Sequence, residues 1–135
     1  MFKSTAARNV ACNAVANLVD IGSAWPSGGI YLYDSTDFPR YSADSTSPSP
    51  IVRLPLSLPA FMSSADGTAF ASIIYDATAL RDGTAAGFGV FNRDSTFIWG
   101  GTVSRSTGIG DMKLNQTVIK QDQTVTLTYG YYLVP

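Results

Sequence analysis

Val125-Thr126-Leu127-Thr128-Tyr129 alternates apolar and polar residues without a break. Successive side chains of a strand point to opposite faces, so Val125, Leu127 and Tyr129 share one face and the two threonines the other. This is the pattern of a half-buried antiparallel strand. Further upstream, β-branched and aromatic residues concentrate at 30–33, 51–56, 68–75, 86–92, 97–104 and 112–114, and the last run extends over 124–134. Each reads as a strand. Asp66-Gly67, Asp82-Gly83 and Asn92-Arg93-Asp94-Ser95 have the chemistry of the connections between them. Short strands with no helical repeats between them point to a mainly β fold, an antiparallel β-sandwich for which a jelly roll is one arrangement.

The one convincing helix precedes these strands. Between Ser4 and Ile21, apolar residues fall at Ala7, Val10, Ala11, Ala14, Val15, Leu18 and Ile21, which is helical spacing. Arg8, Asn9, Asn13, Asn17 and Asp20 lie largely opposite and read as the solvent face. Ser4 or Thr5 suits the N-cap and Gly22 the left-handed position past the C-terminus. Burying Val10, Val15, Leu18 and Ile21 is worth at most roughly 6–12 kcal/mol. The stripe therefore calls for a partner surface, either the protein's own sheet or a neighbouring subunit.

The chain has 135 residues, which predicts a single domain over 1–135. Within it, 1–22 form an N-terminal arm and helix and 29–135 the sandwich, with a long loop at 35–50. Only 14% of residues are charged and the formal net charge is −1, too weak a field to draw nucleic acid or an anionic membrane surface. Near-neutral charge favours self-association, so a homo-oligomer, dimer or trimer, is expected. No apolar run reaches the roughly 18 residues of a membrane span. Arg8, Asn9, Asn13 and Asn17 interrupt the core that a signal peptide would need, so export is not expected. Cys12 is the only cysteine and reads as a small buried hydrophobe in a reducing cytosol.

There is no histidine, and all 10 acidic residues are aspartate. Ser-His-Asp and Cys-His relays and the commonest zinc ligand are thereby excluded. Asp34 with Asp37, or Asp76 with Asp82, would be the carboxylate pairs for acid–base chemistry, but both pairs sit in turn contexts where Asp closes Asx-turns. Gly87-Phe88-Gly89 and Gly108-Ile109-Gly110 are fragments of a phosphate-loop pattern, and the first lies inside a strand. Thr117 to Lys120 lacks the helix that a nucleophile-x-x-Lys arrangement needs. The expectation is no enzyme, no metal and no cofactor.

Candidate contact residues lie elsewhere. The segment Ser35 to Pro50 is rich in Ser, Thr, Asp and Pro and carries Phe38, Arg40 and Tyr41. A stretch this long without regular structure is either a contact loop or a disordered one, and its aromatic and Arg residues are types enriched at interfaces. Trp25, after the helix, reads as a core-edge plug or an interface anchor. Phe2 and Lys3, in the arm, can add to a neighbour's sheet edge.

The order of features resembles a group of small tailed-phage virion proteins. The resemblance is carried by the helix Ala7-Arg8-Asn9-Val10-Ala11-Cys12-Asn13-Ala14-Val15 and the strand Gly29-Ile30-Tyr31-Leu32-Tyr33-Asp34. It continues in Ala86-Gly87-Phe88-Gly89-Val90-Phe91 before Trp99-Gly100-Gly101-Thr102-Val103, and in the closing run from Asp111-Met112-Lys113-Leu114-Asn115 through Ile119 to Thr128. The segment Phe38 to Pro50 is longer and richer in Ser and Pro than in that group. The resemblance implies a non-enzymatic virion component made in the host cytoplasm, of the capsid decoration (cement) type that binds and stabilises the lattice of the major capsid protein. Alternatives are another virion position, such as neck, tail or fibre base, and a carbohydrate-binding β-sandwich using Trp25, Trp99, Tyr129, Tyr131 and Tyr132.

Overall fold

The computed structural model describes residues 2–36 and 49–127, and the backbone of 131–133. Phe38, Arg40, Tyr41, Asp37 and Tyr129 lie outside the described residues. The helix is α1 (Thr5–Asn17), capped by Ser4, whose hydroxyl accepts from the backbone N–H of Ala7. It runs into a 3-10 turn, Leu18–Asp20. Gly22 follows with φ of +121°, and a Cβ there would come within 2.7 Å of the Asp94 carboxyl. Only glycine meets both demands.

The strands are β1 (Gly29–Tyr33), β2 (Val52–Pro55), β3 (Thr68–Phe70), β4 (Ala77–Thr78), β5 (Gly83–Thr84), β6 (Gly87–Phe91), β7 (Phe97–Arg105), β8 (Met112–Leu114), β9 (Val118–Ile119), β10 (Thr124–Val125) and β11 (Tyr131–Leu133). The chain is mainly β with one N-terminal helix, in a β-sandwich-like arrangement of curled, largely antiparallel sheets. One sheet has the order β2-β1-β6-β7-β8, and the pairs β10-β4, β11-β3 and β5-β9 make up the rest. β8 departs from the antiparallel rule: it runs parallel to β7, with Val103 opposite Met112 and Arg105 opposite Leu114.

β1 is central, paired to β2 on one side and β6 on the other, and is buried along its whole length. Both of its faces are covered. Ile30 and Leu32 join the main core with Val19, Ile51, Val52, Leu54 and Leu56. Tyr31 and Tyr33 point the other way, into a small aromatic cluster with Phe91 and Phe97. Tyr31 and Phe91 have ring centroids 4.4 Å apart, within the range in which tilted rings attract beyond simple burial.

The turn chemistry works as its residues dictate. Asp66 and Gly67 both take positive φ, and Ala65 and Thr68 exchange backbone hydrogen bonds, which makes a two-residue hairpin. Asn92 accepts from the N–H groups of Asp94 and Thr96 and so holds the β6–β7 connection. In the last predicted run, Val125 is buried, Thr126 exposed and Leu127 half-buried, as the alternation requires.

Candidate interaction surfaces

α1 docks on the face that the sequence assigns to solvent. Cys12, Ala16 and Val19 are buried, with Asn9 and Asn13 half-buried beside them. Val10 is 70% exposed, Ile21 55% and Leu18 41%, and Ala7 and Ala14 are exposed too. At about 100° per residue the buried and exposed sets centre on opposite sides of the helix. Of the two partner surfaces open to the stripe, the protein's own sheet does not bury Val10, Leu18 and Ile21, while Ala11 and Val15 sit half-buried at the edge.

Hydrogen bonding explains the reversal. The Asn13 carboxamide oxygen accepts from the N–H of Ser64, and that of Asn9 from the N–H of Gly67. The Ser64 hydroxyl donates to the Asn9 carbonyl, and the Asp20 carboxylate accepts from the N–H of Ala60. The chain from Ala60 to Gly67 thereby finds acceptors for donors that would otherwise cost about 1–3 kcal/mol each if covered and unpaired. Small Cys12 and Ala16 let the helix come close enough for these bonds.

Trp25 is 44% exposed. The Arg53 guanidinium lies under it, 4.3 Å from the ring centre, and 5.5 Å from that of Tyr31. Arg53 also donates to the Tyr31 hydroxyl and to the Ser27 carbonyl. Of the two roles read for Trp25, the plug at the core edge describes these contacts, and the rest of its ring stays in solvent. The segment leading to it is tied down by Asp94, whose carboxylate accepts from the N–H groups of Ser23 and Ala24. Those two bonds hold the Asp94 carboxyl below the usual carboxylate range, and Arg93 adds to the effect.

A second apolar surface lies on the ribbon formed by 56–62 and 70–75. Phe61 pairs with Ala71 and Leu56 with Ile74, which turns Phe61 inward against Trp99, ring centroids 5.3 Å apart. Met62, Phe70, Ile73 and Tyr75 are left 45–54% exposed.

The ends of the 35–50 segment are joined by Arg81, which pairs with Asp34 at 2.9 Å and donates to the Ser49 carbonyl. Arg81 holds the Asp34 carboxyl below its ordinary value. Asp34 is therefore an ion-pair partner of an arginine. Asp82 accepts from the N–H of Gln121, the structural use of aspartate expected from its setting.

Of the proposed contact residues, Phe2 is fully exposed and Lys3 is exposed at the N-terminal end of α1, while Trp25 follows its C-terminal end. About 20 Å of helix separates the two sites. What reading by residue type overlooked is the pair of arginines, Arg53 and Arg81, which look scattered in sequence but each join segments far apart in the chain. Among the described residues no three His, Cys, Asp or Glu side chains are grouped to hold a metal ion, and no helix is long and apolar enough to cross a membrane. No family model matches the chain, and neither the curated proteins nor the solved structures contain a match to it.

Proposed function

We propose that this chain is a structural protein that works by surface contact with other protein, and that its setting is the virion, where it decorates and stabilises the lattice of the major capsid protein. The observation that supports contact as its mode of action is the outward stripe of α1 and the turn after it, where Ala7, Val10, Ala14, Leu18 and Ile21 face solvent. Large exposed apolar patches mark interaction sites. The virion setting is supported by the likeness of the helix and strand segments to small tailed-phage proteins. Weak net charge suits it, because an apolar contact keeps its strength at high salt, and repetition over a lattice multiplies modest single contacts.

The test is the amount of this chain relative to the major capsid protein in purified particles, with the heat stability of particles stripped of it. Near-lattice stoichiometry and a lowered disruption temperature are expected. A few copies per particle would move it to the neck or tail, and stripped particles of undiminished stability would overturn the decoration role.

A further inference from the structure

We infer that the outward face of α1 is the seat of a second copy of this chain, packed antiparallel about a two-fold axis at Ala14. This deepens the reading of the protein as one that works by contact and rests on it for its biological setting only.

The face is unusual in what it lacks. From Ala7 through Val10, Ala14, Asn17 and Leu18 to Ile21 it carries no charged residue, although exposed helix faces ordinarily do. Among the described residues no segment covers it, and the helix spends its other side on Asn9, Cys12, Asn13, Ala16 and Val19.

The stripe is self-complementary. A two-fold axis at Ala14 sets Val10 against the second copy's Leu18, the C-cap residue of α1, so a larger side chain meets a smaller one, and it turns Ala7 towards the end of the turn that follows. A two-fold interface requires such a match of a patch with itself. Alanine at the crossing point permits helix axes to approach to about 8 Å, the short end of the usual range.

Charge selects the antiparallel direction. Exposed Lys3 lies at the N-terminal end of the helix and exposed Asp94 at its C-terminal end, bound to Ser23 and Ala24. Antiparallel copies place each end beside its opposite, in line with the two helix dipoles. Parallel copies, in a dimer or a ring, would bring like charges together.

The area is sufficient for a modest dimer. Val10, Ile21 and Leu18 are 70, 55 and 41% exposed, with Ala7 and Ala14 exposed between them, which offers on the order of 400 Å² per copy, the size of a weak, concentration-dependent pair beside about 800 Å² for a standard stable interface.

The test is mass in solution for the full chain, by light scattering and sedimentation from micromolar to hundred-micromolar concentration. A concentration-dependent dimer is expected. Val10→Asp or Leu18→Asp weakens it about a hundredfold, because a charge is then buried without a partner, while the circular dichroism spectrum stays native. The sole native thiol, Cys12, is fully buried, so introduced cysteines report cleanly. Ala14→Cys forms a covalent dimer on mild oxidation, whereas Ala7→Cys does not. If the charged variants fail to fold, the cross-linking pattern still decides.

A chain that stays monomeric throughout overturns the inference, whether or not another protein binds the face. So does a dimer untouched by Val10→Asp, and so does Ala7→Cys linking as readily as Ala14→Cys, which means a parallel pair. Particle stoichiometry tests the virion setting separately, so failure of one is distinguishable from failure of the other.

Discussion

The Arg53 guanidinium stacks 4.3 Å beneath the ring of Trp25 and reaches past it to the Tyr31 hydroxyl, to which its Nε donates at 3.1 Å. One arginine thus ties the segment after the helix to the aromatic side of the central strand. Arg53→Ala should cost about 2 kcal/mol, because it removes the stacking and the hydrogen bonds together. Trp25→Ala should cost about 1 kcal/mol. A double-mutant cycle by urea unfolding should return a coupling of about 0.5–1 kcal/mol, and Arg53→Lys should recover little of the loss, since it lacks the planar fork.

The reversed docking of α1 predicts an inverted mutational pattern. Asn13→Ala, polar to apolar on a half-buried face, should destabilise by about 1–2 kcal/mol by leaving the N–H of Ser64 without its acceptor. Val10→Ala should change the stability of the dilute monomer by less than about 0.5 kcal/mol. Equilibrium unfolding at low protein concentration compares the two.

Tyr33 is buried, and burial, with Tyr31 adding to it, pushes its hydroxyl well above the ordinary value of 10.0. The fold therefore holds this proton more tightly than the unfolded chain. Stability is unaffected by Tyr33 below pH 10 and falls as pH rises above it, where the unfolded chain ionises and the fold does not. Tyrosinate absorbance should show one tyrosine that titrates only when the protein unfolds, and Tyr33→Phe should remove that step.

The Arg81 link should be modest in energy and visible in acid. Both partners are partly exposed, 32 and 40%, so Arg81→Met should cost about 0.5–1 kcal/mol. Because Asp34 is held below its ordinary 3.8, its share is present above that pH and is lost as pH falls through the lower folded value. Thermal unfolding against pH should show that acid limb shrink in Arg81→Met.

At Gly100 a Cβ would collide with the backbone carbonyl of Phe88 and lie 3.2 Å from the Gly89 Cα. Neither is the end of a flexible side chain. Gly100→Ala should therefore spread β6 from β7 and cost about 1–3 kcal/mol, measured by thermal unfolding.

Residue composition located strands whether both faces are buried, as in β1, or one meets water, as in the Val125 run, although of 68–75 only Thr68–Phe70 is a strand. The runs at 30–33, 97–104 and 112–114 became β1, β7 and β8, and the Val125 alternation holds through Leu127. The two-residue strands β4, β5 and β9 escaped because two residues carry no period. The parallel return of β8 was hidden for a different reason: it depends on Asp111 accepting from the N–H and hydroxyl of Thr102 and on Ser104 accepting from Gly110, bonds that hydrophobicity does not encode. The helix was located correctly, but its apolar stripe is the side left in solvent. Which side would dock could not be read from apolarity, because Asn9 and Asn13 recognise particular backbone donors fifty or more residues away. Of the expected contact residues Phe2, Lys3 and Trp25 are exposed, whereas Phe70, Ile73 and Tyr75, exposed on the ribbon, sit in a run that reads as an ordinary strand, and Met62 lies outside every such run.

The Arg81 link carries an evolutionary consequence. Leu32 and Ile51 are joined by a backbone hydrogen bond just inside it, so the register of β1 with β2 is set by residues that flank 37–48. Lengthening such a connection costs little, about 0.6 kcal/mol for each doubling. The number and kind of residues between Asp34 and Ser49 can therefore change under selection while the pairing of β1 with β2 is inherited unchanged, which makes this stretch of sequence the place to graft a foreign epitope or a new specificity.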